Sequence, residues 1–575
     1  MVGWFLGPLL NIGLGWSFRL FNQGFEWCTL QYTRAVGLSL RVAGLVLVGY
    51  AALVALTGWT FLEAPSGFIP SQDKGYLVVN VQLPDAASVE RTRAVMAKIE
   101  KAALSTPGVR HTVAISGQSI LLNANAPNYG AMYVMLRDFH ERAKMGNLSA
   151  DEIAKALQDK LRDQVDEGTI NVFGAPPVDG LGTSGGFKLM VEDRANLGAK
   201  ALQDVPEKMV ENAKKADELE GLFTSYRAKT PWIHLDIDRA QARSMGVSTG
   251  EIFTTLQVSL GSLYVNDFNK FGRTWQVNVQ AHENFRKQID DLKQLQIRND
   301  QGRMVPFSSI ASFKEVYGPS TITRYNLYPA SAVNGNSAPG YSSGQSIDKM
   351  EELIKKDLPP SMRYEWTELA YLQLQTGNTA YWVFLLAVVL VFLVLAAQYE
   401  SWTLPLAVIL VVPMCLLSSI AGVLIAQMDV NIFTQIGFIV LVGLASKNAI
   451  LIVEFAKARR EAGASAEEAT LDACQLRLRP IIMTSLAFIL GVVPLVLAEG
   501  AGAEMRRTLG TAVFAGMLGV TLFGIFLTPV FYYVIQWLAD RVRPPERPRK
   551  DETRTEPLPE VILVGELASN VRHGA

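Results

Sequence analysis

Six apolar stretches, each long enough to cross a lipid bilayer, constrain the fold of this chain more than any other feature. They lie at residues 42–62, 379–399, 404–426, 432–455, 480–498 and 509–536. A membrane-crossing helix needs about 20 residues, because the hydrocarbon core of a bilayer is about 30 Å thick. The first stretch stands alone, and a long polar region separates it from the other five. The sequence therefore predicts an α-helical membrane bundle that carries a large aqueous region.

The polar region alternates between strand-like and helix-like patterns. Residues 75–83 alternate apolar and polar side chains as a strand does, and a helical stretch at 88–104 and another strand follow. A second series of the same kind begins at residue 186. Strand, helix and strand in each series predict two related split βαβ units in an α+β region.

Charge and residue types exclude several classes of function. The net charge of −1 argues against a nucleic-acid-binding surface, which is typically strongly basic. The cysteines are Cys28, Cys415 and Cys474, and none lies in the aqueous region, so a disulfide framework or cysteine metal site is not expected there. The histidines lack the spacing of metal ligands. No nucleophile and base pair stands out either, so we predict no catalytic site, no metal site and no enzyme.

The distribution of lysine and arginine predicts the orientation. The connection at 456–479 and the tail at 541–575 are rich in these residues, which indicates that both are cytoplasmic. Counting crossings back from them puts the aqueous region outside the cytoplasm. The aromatic-rich residues 1–30 predict an amphipathic helix lying in the membrane interface, followed by the first transmembrane helix at 31–63. The composition of the tail, rich in Pro, Glu and Arg, predicts disorder.

Lys447 is the only charged residue in the apolar run 432–453. A lysine near the centre of a membrane helix costs roughly 2.5–3.5 kcal/mol on insertion scales, so it usually has a partner or a function. The alternative is a side chain that extends to the interface. Only a short apolar run separates Lys447 from Glu454, which makes that alternative strained. We therefore predict that Lys447 belongs to an ion pathway or a proton relay.

Several motifs along the chain are specific in combination. They are Pro65-Ser66-Gly67-Phe68-Ile69-Pro70, Tyr264-Val265-Asn266-Asp267-Phe268, Ala396-Ala397-Gln398-Tyr399-Glu400-Ser401-Trp402, Lys447-Asn448-Ala449-Ile450-Leu451 and Arg477-Leu478-Arg479-Pro480-Ile481-Ile482-Met483-Thr484-Ser485. Together they resemble the resistance-nodulation-division (RND) efflux pumps, specifically the hydrophobe/amphiphile multidrug class. The resemblance reaches to about residue 538 and covers only the second of the two repeats that make up such a pump.

The resemblance implies a division of the chain into parts. Residues 74–180 correspond to one porter subdomain, and residues 181–227 with 319–367 correspond to a second. A docking subdomain at 228–318 is inserted into the second porter subdomain. Five transmembrane helices occupy residues 379–538.

The resemblance also implies how the protein is energised and what it binds. The expected function is proton-driven export of amphiphilic or hydrophobic small molecules, with the proton gradient in place of any cofactor. The missing N-terminal repeat carries the membrane aspartates that bind protons in this family. Other expected partners are further copies in a homotrimer, a periplasmic adaptor protein and an outer-membrane channel. The expected location is the bacterial inner membrane, with a large periplasmic region and no nucleic acid bound.

The family mechanism suggests four relay residues in this chain. A lysine pairs with the aspartates until protonation releases it, and by resemblance Lys447 is that lysine. Asn448 is its neighbour, and Arg477 and Thr484 assist from the next helix. Alternatives remain for two of them. A threonine in a membrane helix often only hydrogen-bonds the backbone, and Arg477 could be an ordinary interfacial charge.

Candidate substrate contacts also follow from the resemblance. Residues 116–129 occupy the position of the family's switch loop, where some members have two phenylalanines. The candidate contacts are Ile120, Leu121, Leu122, Phe173, Leu181 and Arg227. Ile120, Leu121 and Leu122 lie in the switch-loop segment, Phe173 and Leu181 are expected along a pocket, and Arg227 is expected near an entrance. Ordinary packing is an equally good explanation for Phe173, Leu181 and Arg227.

Two other functions compete with drug export. A truncated repeat could be a non-transporting membrane scaffold, which would show no proton coupling. A transporter of related fold could export lipids or metal ions. Metal export is disfavoured because no Met, His or Cys cluster stands out in the aqueous region.

Overall fold

The computed structural model describes residues 2–146, 148–377 and 379–542, with the side chains of residues 2–18, 380 and 542 left aside. The chain begins with helices α1 (Val2–Arg41) and α2 (Ala43–Glu63). Val42, with φ −105° and ψ 29°, separates them. The helix break thus lies at Val42, where the apolar stretch 42–62 begins, and not at the expected boundary between residues 30 and 31. Helix α1 packs against two helices near the end of the chain.

The first α/β unit follows the linker after α2. Its elements are β1 (Tyr76–Gln82), α3 (Val89–Leu104), β2 (Val109–Ser119), β3 (Ala124–Leu136), α4 (Phe139–Lys144), α5 (Ala150–Gln164) and β4 (Thr169–Gly174). The strands form an antiparallel sheet in the order β2-β3-β1-β4. Helices α3 and α5 share a buried core with β1 and β3. All of these elements lie within the predicted segment 74–180.

The second α/β unit begins with β5 (Phe187–Asp193), α6 (Ala199–Ala213) and β6 (Leu219–Thr224). An inserted lobe then interrupts it, with its own core around Ile252, Ile297 and Phe307. The lobe consists of β7 (Thr230–Ile237), α7 (Arg239–Ser244), α8 (Thr249–Leu256), β8 (Leu263–Lys270), β9 (Arg273–Val279), α9 (Ile289–Lys293), β10 (Gln296–Arg298), β11 (Met304–Pro306) and β12 (Ala311–Gly318). Strand β12 returns to pair with β7, which brings the two ends of the insertion together.

The second unit is completed after the insertion. Its remaining elements are β13 (Thr323–Tyr325), β14 (Tyr328–Ser337), α10 (Ser343–Asp357), β15 (Met362–Thr367) and α11 (Glu368–Thr376). Strand β14 pairs with both β5 and β6, and β5 also pairs with β15. Helices α6 and α10 pack on this sheet around one core. The aqueous region is therefore mixed α/β, with a four-stranded sheet in the first unit, a five-stranded sheet in the second and one insertion.

The remaining helices form the membrane bundle. They are α12 (Thr379–Tyr399), α13 (Leu404–Ile409), α14 (Val412–Ile425), α15 (Ile432–Glu461), α16 (Ala466–Val496) and α17 (Ala503–Val542). In the described part of the chain, six helical segments are long and apolar enough to cross a membrane, with α13 and α14 counted as one. These six helical segments correspond to the six apolar stretches found in the sequence. Residues 543–575, most of the tail predicted to be disordered, lie outside the described residues.

Helix α16 begins earlier than the sequence suggested. Hydropathy placed the start of this crossing at residue 480, where the apolar stretch begins. The structure begins the helix at Ala466, where Ser465 and Glu468 form a reciprocal capping box. The Ser465 hydroxyl accepts from the Glu468 amide at 3.2 Å, and the Glu468 carboxylate accepts from the Ser465 amide at 3.1 Å. Pro480 is accommodated inside the helix, and most of the expected connection at 456–479 is helical.

Candidate functional site

Helix α15 carries Lys447 and begins at a well-formed cap. The Asn431 side-chain oxygen accepts hydrogen bonds from the amides of Phe433 and Thr434, at 3.0 and 3.2 Å. Just before the cap, the Asp429 carboxylate accepts a hydrogen bond from the side-chain amide nitrogen of Asn431 at 2.9 Å. Burial raises the pKa of the Asp429 carboxyl, although this hydrogen bond opposes the rise. A partly buried, titratable group therefore lies just before the first turn of α15.

Lys447 lies on a face of α15 that no other part of the described chain covers. Ile436, Val440, Gly443 and Lys447 recur at helical spacing, and all four are exposed. Ile436 is 43% exposed and Val440 is 44% exposed, although both are apolar. This uncovered apolar face surrounds a single positive charge.

The Lys447 ammonium group has no hydrogen-bond or ion-pair partner among the described residues. An unpaired ammonium in the apolar part of a bilayer is unfavourable. The chain therefore presents a cation that is available to a carboxylate outside this chain. The expectation that Lys447 acts in a relay remains a prediction.

Asn448 points away from that face into the bundle. It is buried, and its side-chain nitrogen donates to the Ser485 hydroxyl of α16 at 3.0 Å. Ser485 is 1% exposed, so this bond satisfies two buried polar groups between α15 and α16. Ser485 stands in the family motif, but the sequence alone assigns it no role. The bond ties the segment beside Lys447 to α16.

The two other relay candidates lie on α16. The Arg477 guanidinium stacks 4.9 Å above the ring centre of Phe455 on α15, and its buried Nε atom has no hydrogen-bond partner among the described residues. The Thr484 hydroxyl donates to the Ile481 carbonyl of its own helix at 3.1 Å. The structure thus places Arg477 against α15, whereas Thr484 makes the backbone bond that the alternative explanation predicts.

The substrate candidates divide into two groups. Leu121 and Phe173 are buried together with Phe223, which the sequence did not single out. The rings of Phe173 and Phe223 have centroids 5.5 Å apart. Phe223 comes from β6 of the second α/β unit, so this apolar cluster joins the two units. Ile120 and Leu122 flank it and are half-buried.

The remaining candidates lie apart from the cluster. Leu181 is 40% exposed and is not among the cluster residues. The Arg227 guanidinium donates to the Glu207 carboxylate at 3.3 Å in a partly exposed ion pair. The segment 116–129 is also not a simple loop. Strand β2 continues to Ser119 and β3 begins at Ala124, so only a short turn separates the two strands.

Polar groups line the contact between the two α/β units near this cluster. The Gln82 side chain donates to the Ser225 carbonyl at 3.2 Å, and the Ser119 hydroxyl donates to the Asn80 side-chain oxygen at 3.1 Å. All four residues are buried. The contact between the two units thus combines a buried apolar cluster with a few hydrogen-bonded polar groups. In the described part of the chain, no group of three or more His, Cys, Asp or Glu side chains is arranged to hold a metal ion.

Comparison with known proteins places this geometry in a family. Residues 1–536 match the model of the AcrB/AcrD/AcrF family. The antibiotic efflux pump membrane transporter ArpB of Pseudomonas putida is 36% identical over 543 residues, which cover 93% of this chain and 51% of ArpB. The multidrug export protein AcrF of Escherichia coli K12 is 37% identical over 530 residues, which cover 91% of this chain and 50% of AcrF.

A relative named for toluene export matches this chain with similar identity and coverage. The toluene efflux pump membrane transporter TtgB of Pseudomonas putida is 35% identical over 543 residues, which cover 93% of this chain and 51% of TtgB. The chain thus spans about half the length of the curated relatives it matches. The motifs, the six membrane helices and the match along nearly the whole chain agree, and the chain belongs to the AcrB/AcrD/AcrF family of RND efflux transporters.

Proposed function

We propose that this chain forms the C-terminal half of a proton-driven efflux transporter for amphiphilic or hydrophobic compounds. The observation that carries the proposal is the unpaired Lys447 on an uncovered apolar face of the bundle. The relatives named above are multidrug, antibiotic and toluene efflux proteins of about twice the matched length. The names of those relatives support the proposed substrates, and the position of Lys447 supports the proposed use of a proton gradient.

The chemistry of Lys447 suggests how proton binding could be coupled to movement. An ionised carboxylate from the N-terminal repeat would pair with the ammonium and offset the cost of both charges in the membrane. Protonation of that carboxylate would remove the attraction and release Lys447. The Asn448–Ser485 hydrogen bond would transmit the resulting shift of α15 to α16. Arg477 and Thr484 are proposed as assisting residues on that helix.

The distribution of charge supports the proposed orientation. Arg460 pairs with Asp540 at 2.6 Å, at the end of the bundle away from the α/β units. Arg459 lies beside Arg460 in the same last turn of α15. Basic residues at one end favour a cytoplasmic location for that end. We accordingly propose a multi-pass protein of the inner membrane, with the α/β units in the periplasm as two porter subdomains and the inserted lobe as a docking subdomain.

The proposed assembly is a homotrimer that works with a periplasmic adaptor and an outer-membrane channel. Leu121, Phe173 and Phe223 are the proposed apolar wall of the substrate site, with Ile120 and Leu122 beside them. Leu181 and Arg227 are proposed to line the approach to that site. No cofactor is proposed, because the proton gradient supplies the energy.

The test of the proposed function is the variant Lys447→Ala in the assembled pump. Export of a fluorescent amphiphilic dye should be lost, while the amount of protein in the membrane stays near that of the unaltered pump. Lys457→Ala is the matched control, because Lys457 lies on the same helix but has partners within this chain, the Tyr399 carbonyl at 3.4 Å and the Glu461 carboxylate at 3.9 Å. Undiminished export by the Lys447→Ala pump would remove Lys447 from the mechanism.

A non-transporting scaffold is the second candidate, because the chain spans about half of its relatives. An immunoblot against the C-terminal region of the native protein separates the two. A band near twice 63.1 kDa would indicate a whole pump, and a band at 63.1 kDa would indicate a chain that needs a separate partner or does not transport. A lipid or metal exporter of the same fold would show no dye export in the first experiment.

A further inference from the structure

The linker between α2 and β1 forms a short hydrogen-bonded bridge to the start of α15. Ser66 and Val430 form a parallel β-bridge. The Gly67 amide donates to the Val430 carbonyl at 3.2 Å, and the Val430 amide donates to the Pro65 carbonyl at 2.8 Å. The Ile432 amide, at the first residue of α15, donates to the Phe68 carbonyl at 3.0 Å. The linker is thus bonded directly to the helix that carries Lys447.

The opposite side of the same linker is bonded to the second α/β unit. The Gly344 amide in the first turn of α10 donates to the Ser66 carbonyl at 3.1 Å. The Phe68 amide donates to the Ser343 hydroxyl at 3.2 Å, and that hydroxyl donates to the Gln373 side chain of α11 at 3.0 Å. Residues 65–68 therefore lie between α15 on one side and α10 and α11 on the other. We call residues 65–68 the strut.

Two glycines permit this close approach. A Cβ atom at Gly67 would lie 1.6 Å from the Asp429 Oδ2 atom. A Cβ atom at Gly344 would lie 2.5 Å from the carbonyl oxygen of Ser66, which is a backbone atom and cannot turn aside. Any side chain at Gly344 would therefore separate α10 from the strut. Backbone atoms therefore limit the approach at Gly344, whereas at Gly67 the atoms in the way belong to the Asp429 side chain.

We propose that the strut transmits displacement of α15 to α10, and that Gly67, Ser343 and Gly344 are positioning residues for export. Three backbone hydrogen bonds join the strut to the start of α15, so a shift of that helix must either carry the strut along or break those bonds. The bonds to Gly344 and Ser343 then pass the movement to the first turn of α10. The proposal rests on the proposed function only for the event that moves α15, namely the pairing or release of Lys447.

The first experiment is independent of Lys447. Hydrogen exchange is followed by mass spectrometry in the purified full-length protein, for peptides covering residues 428–432 and the first turn of α10. Gly67→Ala should raise exchange in both peptides by about fivefold or more, the change expected from one lost hydrogen bond in a local opening equilibrium. Gly58→Ala is the control, because an added Cβ there meets no atom within 4 Å. If Gly67→Ala raises exchange only in residues 428–432 and not in α10, the proposed coupling through the strut is wrong.

The second experiment connects the strut to the proposed mechanism. Lys447→Ala should alter exchange in the first turn of α10, and Ser343→Ala should suppress that response without introducing a steric clash. Dye export is measured on the same proteins. If Lys447→Ala abolishes export but leaves exchange in α10 unchanged, the proposed coupling through the strut is wrong and the proposed function stands. The same conclusion follows if Lys447→Ala changes exchange in α10 equally with and without Ser343→Ala. Normal export by Lys447→Ala would contradict the proposed function. The Gly67→Ala experiment would still test whether the strut couples α15 to α10.

Discussion

Replacing Arg142 with methionine should weaken the first α/β unit far more than a typical loss of a charge. Arg142 is 2% exposed and its partner Asp73 is 12% exposed. The guanidinium donates from Nη1 to Asp73 at 2.6 Å and from Nη2 at 3.0 Å. It also donates to the carbonyls of Arg137 and Leu148, at 2.9 and 3.1 Å. A single side chain thus joins the linker after α2 to the segment around α4.

The magnitude follows from what the substitution leaves behind. Removing one partner of a buried ion pair typically costs about 3–5 kcal/mol, because the other charge stays buried without a counter-ion. Asp73 would keep two backbone donors, the amides of Gly75 and Ala150, each at 3.0 Å. These two bonds favour the lower end of that range. We expect a loss of about 3 kcal/mol, which corresponds to roughly a hundredfold in the local opening equilibrium.

Native-state hydrogen exchange of amides in β1 and α5 is the assay. The control is Lys74→Met at the neighbouring position. Lys74 pairs with Asp179 at 2.7 Å, but the Asp179 side chain is 86% exposed, so that pair should contribute about 1 kcal/mol or less. If Arg142→Met and Lys74→Met accelerate exchange equally, the burial argument is wrong.

Two further predictions concern Asp429 and the apolar cluster. Because burial raises the pKa of Asp429 above its ordinary 3.8, the stability that this carboxyl contributes is present below 3.8 and is lost as the pH rises through the raised value. Asp429→Asn should therefore raise the apparent melting temperature at neutral pH, with a gain that shrinks toward pH 3.8; a gain that does not depend on pH would refute this. Phe223→Ala should destabilise the contact between the α/β units by about 3–5 kcal/mol in local exchange, because Phe223 is 6% exposed against Phe173. Leu181→Ala, at an exposed position, should change the same quantity by less than about 0.5 kcal/mol, and similar losses in both variants would exclude the cluster as a buried core.

Local pattern was sufficient where one type of signal dominated. The alternating residues 75–83 correspond to β1, and the stretch from Ser88 corresponds to α3, whose first turn Ser88 caps. Local pattern was insufficient where strand pairing or a cap set the limits of an element. The resemblance put a switch loop at residues 116–129, but pairing of Gln118 with Asn125 extends the β2–β3 hairpin into that segment. Hydropathy put the start of the fifth crossing at residue 480, although the capping box at Ser465 begins that helix earlier.

The sequence by itself determined the number of membrane crossings, the mixed α/β character of the aqueous region and the cost of placing Lys447 in an apolar helix. Each of these properties depends on residues that are neighbours in the sequence, so it can be obtained from a short stretch of the chain. Only the tertiary structure decided that Lys447 is uncovered, that Asn448 bonds Ser485, that Phe223 joins Leu121, and that the strut reaches α10. Each of these depends on residues far apart in the chain, and packing, rather than local periodicity, selects which of them meet.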